Sequence, residues 1–252
     1  MTQDFYDQLA PYYHLLYPNW ESSSVRQSRG LGDVLNEFGV ARGSTVLDAA
    51  CGIGTQTLGL AQLGYNVTAS DLSPAAVARA RDEARARDLT ITFAVADLRR
   101  LSRVFNGPFA AVLACDNAIP HLLSDDEIRV AFSECRHLLI PGGVFLLSVR
   151  DYAAIERHTP DHHSYGARSV GDRTYVAEQI WRWDGDQYDL TLRLTEQRPS
   201  EPAIVHEFES RYYAVSLTTL ERLLHEAGFD TVVRRDEYFF QPLLVAINPP
   251  AR

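Results

Sequence analysis

Residues 45–55 read Thr-Val-Leu-Asp-Ala-Ala-Cys-Gly-Ile-Gly-Thr: a short apolar run, an acid at its end, then two glycines one residue apart. An uninterrupted apolar run of this length is the mark of a strand buried on both faces of a parallel sheet. Gly52 and Gly54 let the backbone turn tightly and bring a ligand close, with no side chain in the way. The helix expected over 55–63 then offers its free N–H groups to a carboxylate or phosphate.

The same alternation extends outward from this loop. A helical stretch at 22–38 precedes it. A strand at 66–70, a helix opened by Ser73-Pro74 and a strand at 91–96 follow. A further strand at 110–115 leads to a helix at 125–139, and a Pro141-Gly142-Gly143 turn leads into a strand at 144–149. Short apolar strands alternating with helices make βαβ units. The expected fold is α/β: a Rossmann-like, doubly wound, mostly parallel sheet of seven strands. Its last two strands are 231–235 and 243–247, after a helix at 217–227 ended by Gly228.

After Arg150 the texture changes. Tyr175, Ala177, Gln179, Trp181 and Trp183 alternate along one strand, Asp184-Gly185 is a hairpin turn, and Tyr188, Leu190, Leu192 and Leu194 continue on the return. A third strand follows at 204–213. The expected division is a core of residues 1–150 and 216–252, with 1–40 as an N-terminal helical cap. Residues 151–215 form an antiparallel insert at the carboxyl edge of the sheet, where ligands bind, and act as a lid. His158, His162 and His163 fall in a polar loop with Pro160 and Gly166; no spacing of Cys or acids supports a metal there. Trp181, Trp183, Tyr212 and Tyr213 read as strand packing in preference to an aromatic cage for an alkylated amine.

The ligand can be narrowed from the residues. Asp71 closes the second strand 19 residues after Gly52, where an acid accepts both hydroxyls of a ribose. Gly54 is followed by Thr-Gln-Thr, so the third glycine of the nicotinamide fingerprint is missing. Asp48, just before the glycines, repels a phosphate and welcomes an ammonium. A nucleoside carrying an amino acid satisfies both acids; a dinucleotide does not.

VLDAACGIG, with NVTASDLS, FAVADLRRL and ACDNAIPHL after it, resembles the class I S-adenosylmethionine-dependent methyltransferases over about residues 22–150 and 216–252. DNAIPHL and the later LLSVRDYAAI resemble the glycine and sarcosine N-methyltransferase branch, which has Gly-Asn-Ser-x-x-His-Leu and Arg-Asn-Tyr-Asp segments and an antiparallel insert. The resemblance implies S-adenosyl-L-methionine as cofactor and S-adenosyl-L-homocysteine as product. It implies Ala49, Gly52 and Gly54 as the cofactor loop, Asp48 near the methionine amino group, Asp71 with Leu72 at the ribose, and Asp97 with Leu98 at the adenine. Trp20 and Arg29 match a segment that folds over the cofactor. Asn117 would sit beside sulfonium and substrate, and Arg150 would pair with a substrate carboxylate. Two positions depart from the branch: Asp116 stands where it has glycine, and Asp151 where it has asparagine. Both add negative charge on the substrate side.

The expected activity is methyl transfer to the nitrogen of a small-molecule amine, an amino acid or an amine-bearing metabolite. The cofactor carries the hard step, and the protein aligns the amine lone pair with the methyl–sulfur axis. Asp116 or one of Tyr6, Tyr12 and Tyr13 orients the amine; Tyr12 joins Arg150 as substrate-binding. The alternative, an O-methyltransferase of natural-product metabolism, needs a base, and His121 is the residue so placed, although a buried histidine satisfied by backbone is the plainer reading. A cofactor-binding protein without turnover is the alternative of a different class. The terminal Asn248-Pro249-Pro250, followed by Ala251 where adenine methyltransferases have an aromatic residue, is a chance likeness.

Composition excludes other chemistry. All 24 cations are arginines, so no Schiff-base or P-loop lysine exists. The formal charge is −9, a poor match to nucleic acid or an anionic membrane. Arg79, Arg81, Arg85 and Arg87 are interleaved with acids, as on a solvated helix face. Cys51, Cys115 and Cys135 are scattered and read as reduced thiols; no cationic leader and no membrane-length apolar run is seen. The expected setting is cytoplasmic, with a homo-oligomer allowed by the apolar insert.

Overall fold

The computed structural model describes residues 2–250; Ala251, on which the Asn-Pro-Pro likeness turns, lies outside the described residues. The chain runs α1 (Thr2–Leu9), a 3-10 turn (Tyr13–Leu16), α2 (Trp20–Glu37), β1 (Thr45–Asp48), α3 (Thr57–Gln62), β2 (Asn66–Asp71), α4 (Pro74–Arg85), β3 (Thr92–Val95), β4 (Phe109–Ala114), α5 (Asp125–His137) and β5 (Leu139–Ser148). The four strands β6 (Asp161–Val170), β7 (Arg173–Asp184), β8 (Gln187–Gln197) and β9 (Ile204–Tyr213) follow, then α6 (Leu217–Glu226), β10 (Thr231–Arg235) and β11 (Leu243–Ile247).

Seven strands form one sheet in the order β10-β11-β5-β4-β1-β2-β3, in which β11 alone runs antiparallel to its neighbours. Val46, Leu47 and Asp48 of β1 are all buried, as a central strand covered on both faces requires. One face packs against α5, α6 and the insert through Phe132, Phe145, Leu147 and Leu220; the other packs against α2 through Leu31, Val34 and Leu35. The helices start where side-chain oxygens cap them: Asn19 for α2, Ser73 with Pro74 for α4, Ser124 for α5 and Ser216 for α6.

Because β1 and β4 are neighbours while their connections leave in opposite directions, a crevice opens at their carboxyl ends. Asp71, Asp97, Asp116 and Arg150 follow the ends of β2, β3, β4 and β5 around it.

Two local readings are corrected. The Pro141-Gly142-Gly143 turn lies within β5, which begins at Leu139 and pairs with β4 through a register shift between Phe109 and Ala111. Of the histidine-rich segment, His158 and Pro160 do lie in a loop, but His162, His163 and Gly166 do not. These three belong to β6, the edge strand of the second sheet, ordered β6-β7-β8-β9 and antiparallel throughout. Among the described residues no helix is long and apolar enough to cross a membrane.

Candidate active site

A cavity of about 560 Å³ fills the crevice. Its floor is the turn after β1, residues 49–52. Gly52 has φ +50°, and a Cβ built there would meet nothing within 4 Å, so the loop presents bare backbone to the space. Asp71 holds this turn to the end of β2: its Oδ2 accepts the Gly52 N–H at 2.8 Å and its Oδ1 the Ser73 N–H at 2.9 Å. Each oxygen keeps an accepting direction for a ligand hydroxyl. Burial raises the Asp71 pKa, and those N–H bonds oppose the rise. Further round the wall stand Leu72, Asp97 and Leu98. The Asp97 carboxylate is forked by Arg99 (Nε–Oδ1 3.0 Å, Nη2–Oδ2 2.7 Å), which holds it below its ordinary value against the cost of burial. Arg99 in turn reaches Glu127.

A second cavity, about 390 Å³, lies against the insert. Tyr6, Tyr13 and Asp116 line both cavities and so mark where they meet. Asp116 and Asn117 have φ of +57° and +64°, a left-handed turn that Asp and Asn tolerate better than other residues. The turn is fixed by Ser148, whose hydroxyl accepts the Asp116 N–H and whose carbonyl accepts the Asn117 N–H. Asp116 Oδ2 accepts from Tyr17 at 2.8 Å and Tyr13 at 3.3 Å. Burial raises its pKa, and the two hydroxyls and Arg150 oppose the rise. Asn117 is buried; its Nδ2 donates to Tyr152 at 2.8 Å and its Oδ1 accepts the Arg150 N–H at 3.1 Å.

The Arg150 guanidinium enters the second cavity over the ring of Trp181, 5.2 Å from its centroid, and donates to Tyr165 at 3.1 Å. Burial opposes its charge, but the surrounding tyrosine oxygens more than offset this and raise its pKa. His121, at the edge of the first cavity, is bonded through Nε2 to Tyr6 at 2.8 Å and faces Ser210 through Nδ1 at 3.4 Å. Burial, with Arg150 adding to it, pushes its pKa down to about 3, so the ring is neutral.

Comparison with known proteins gives these cavities a context. Residues 46–143 match the sequence model of a methyltransferase domain. The chain is 31% identical over 224 residues to a glycine/sarcosine N-methyltransferase of Halorhodospira halochloris, covering 85% of this chain and 75% of that protein. The chain belongs to the class I S-adenosylmethionine-dependent methyltransferases. Two solved structures share the fold. The CcbJ methyltransferase of Streptomyces caelestis has a TM-score of 0.77 at 19% identity, over 98% of both chains. An amino pentose methyltransferase of Micromonospora echinaspora, solved with S-adenosylmethionine, has a TM-score of 0.77 at 18% identity, over 90% of this chain and 92% of that one.

S-adenosylmethionine is therefore the cofactor, and the first cavity suits it. The bare backbone at Gly52 and the tethered carboxylate of Asp71 supply the close approach and the hydroxyl acceptor that its nucleoside needs. Ala49, Gly52, Asp71, Leu72, Asp97 and Leu98 all line this cavity in the methyltransferase.

Four residues expected at the cofactor do not line this cavity. Asp48 is buried with its Oδ2 accepting from Thr57 at 2.5 Å, beneath the loop, and burial raises its pKa to about 6. Gly54 (φ +94°) lies under the loop, where a Cβ would come within 3.2–3.4 Å of Leu58 and Ala80. Trp20 donates to Thr55 Oγ1 at 2.9 Å and braces the loop from α2. Arg29 is exposed on the outer face of α2, beside Val25 and Arg26, and reaches neither cavity. Tyr12 is also displaced, packing on His206 and Phe208 (centroids 4.9 and 6.1 Å). Its place is taken by Tyr17, four residues from Tyr13 across the 3-10 turn. Asp151 points toward Arg234, away from both cavities. Thr55, Arg99, Glu127 and Tyr165 line the cavities without having been singled out. Arg99 alone had a signal, its position two residues after Asp97.

Proposed function

We propose that this methyltransferase acts on the nitrogen of a small amine that carries a carboxylate. Arg150 carries the proposal. Its guanidinium faces the second cavity with no carboxylate in ion-pair range among the described residues, while Asp116 stands on the same cavity at its junction with the first. A cation in so sheltered a place favours an anion as partner. The name of the Halorhodospira halochloris relative supports both nitrogen and carboxylate.

When bound, S-adenosylmethionine supplies a methyl group already activated on a sulfonium. Ala49, Gly52, Asp71, Leu72, Asp97 and Leu98 would hold it. Arg150 binds the substrate carboxylate and so directs the amine toward the junction at Asp116. The amine arrives as an ammonium and must lose one proton to free its lone pair. Asp116 takes that proton, its basicity raised by burial. Asn117 is a positioning residue that ties the Arg150 backbone to Tyr152. The insert, residues 151–215, is proposed as the substrate cap through Tyr165, Leu192 and Tyr212. O-methylation needs a base for a hydroxyl, and His121, at about 3 and bonded to Tyr6, is a weak one.

The test is methyl transfer from labelled S-adenosylmethionine to amines with and without a carboxylate, and to phenols. Turnover confined to carboxylate-bearing amines supports the reading; turnover only of phenols or carboxylate-free amines overturns it.

A further inference from the structure

The second cavity is larger and more apolar than a bare carboxylate-bearing amine such as glycine requires. Its volume, about 390 Å³, falls within the roughly 300–1,000 Å³ of pockets that enclose drug-sized ligands. Apart from Arg150, Asp116 and Asn117, much of its wall is Phe5, Leu9, Leu16, Leu192 and Tyr212. Several polar groups on the same wall are engaged within the protein, Arg26 with Ser23 at 3.2 Å among them. Gln27 Oε1 accepts from Gln56 at 2.7 Å, and Gln179 Oε1 accepts from Trp181 at 3.0 Å. The Arg168 guanidinium is spread over the carbonyls of Tyr17, Tyr165 and Ala167. An apolar substrate side chain leaves every one of these bonds intact. Phe240, between β10 and β11, lines the same cavity while 57% exposed.

We infer that the substrate is an α-amino acid with a bulky apolar or aromatic side chain, held along the Phe5, Leu9, Leu16 and Leu192 wall and covered at its outer end by Phe240. This rests on the reading of Arg150 as the carboxylate partner. Arg150 and Asp116 fix the two charged ends, and the remaining volume selects the side chain. Glycine leaves that volume to water and forgoes the burial.

The test measures kcat/KM, by formation of S-adenosylhomocysteine, for glycine, alanine, leucine, phenylalanine and glutamate. Since each methylene in a matched pocket is worth about 10- to 200-fold, leucine or phenylalanine should exceed glycine by roughly 100-fold or more. Leu16→Trp fills the wall and should lower the ratio of bulky substrate to glycine by about tenfold or more. Phe240→Ala, an exposed change the fold tolerates, should raise KM for the bulky substrate and leave its kcat in place. Glycine or glutamate preferred over leucine and phenylalanine, or a ratio unmoved in both variants, overturns the inference and leaves the carboxylate reading standing. Turnover of none of the amino acids, with amines lacking a carboxylate accepted, overturns both.

Discussion

Replacing Arg150 with leucine separates function from stability, because the two respond by different magnitudes. In the native protein the guanidinium lies over Trp181, donates to Tyr165 and meets no carboxylate among the described residues. Leucine removes the cation–π contact, about 0.5–2 kcal/mol, and a hydrogen bond worth about 1 kcal/mol. It also removes a sheltered cation whose desolvation the surrounding tyrosine oxygens more than offset, and which holds the Asp116 carboxyl down. The backbone N–H that binds Asn117 remains. Stability should therefore fall modestly, by about 1–3 kcal/mol. Activity should fall, because the substrate carboxylate then enters the cavity unpaired. Truncating one side of such a pair costs about 2–5 kcal/mol, which at 1.4 kcal/mol per tenfold is a loss of roughly 30- to 4,000-fold in kcat/KM.

The assay pairs initial rates of S-adenosylhomocysteine formation with thermal melts of the same preparations, and calorimetry of cofactor binding as a control. Arg150 lines only the second cavity, so cofactor affinity should not move. A variant that melts well below the parent while turning over substrate at the parental kcat/KM would make Arg150 a structural cation and refute the reasoning.

Other substitutions test the remaining parts. Asp71→Ala removes the acceptor for the ribose and the tether to Gly52 and Ser73; cofactor Kd, read by calorimetry, should rise by about 100-fold, the equivalent of about two charged hydrogen bonds at their lower limit. His121→Ala should cost less than about tenfold in turnover of an amine, whereas a general base would cost ~100-fold or more. Asp48 binds its proton more tightly folded, at about 6, than unfolded near 3.9. Stability from this group is therefore greatest below pH ~4 and is lost as pH rises to ~6, by on the order of 3 kcal/mol. Asp48→Asn should flatten that part of the melting-temperature profile; an unchanged slope would show that Asp48 titrates normally.

The parallel core was legible because its strands carry their own signal. β1, β4, β5 and β11 carry apolar runs ended by turn residues or acids, and Asp71 and Asp97 stand at strand ends that the topology brings together. β6 was not legible. It reads Asp-His-His-Ser-Tyr-Gly-Ala-Arg-Ser-Val, with alternate residues half-buried, and becomes a strand because β7 offers it a ladder. An edge strand needs little hydrophobicity of its own. Side-chain direction was also hidden. β1 is buried on both faces, so nothing in its pattern says that Asp48 turns under the loop to Thr57 while Ala49 faces the cavity. Among the four tyrosines of residues 6–17, the 3-10 turn decides which enter. It brings Tyr13 and Tyr17 to Asp116 and leaves Tyr12 on β9. One turn of different pitch reverses an assignment that composition suggested.

The departure at Asp116 gains its meaning from backbone geometry. The family branch has glycine at this position, and the φ of +57° shows why glycine suits it. Aspartate accepts the same conformation at a cost of about 1 kcal/mol, adds a half-buried carboxylate whose ionisation is disfavoured, and sits at the junction of the two cavities. Local strain and desolvation retained together at a cavity wall point to a task for the side chain. Asp116→Gly tests this. Relief of the left-handed strain and of the half-buried charge is opposed by glycine's greater unfolded freedom, about 0.5–1 kcal/mol, and by two tyrosine hydroxyls losing an acceptor, about 1 kcal/mol each. Those opposing amounts leave the melting temperature close to the parent. Turnover should fall by about 10²- to 10⁴-fold, the usual contribution of a positioned proton acceptor. The loss should shrink as pH rises and more of the amine arrives already deprotonated. A glycine variant as active as the parent across that pH range would make Asp116 a tolerated substitution in a turn built for glycine, and the proton would leave by water.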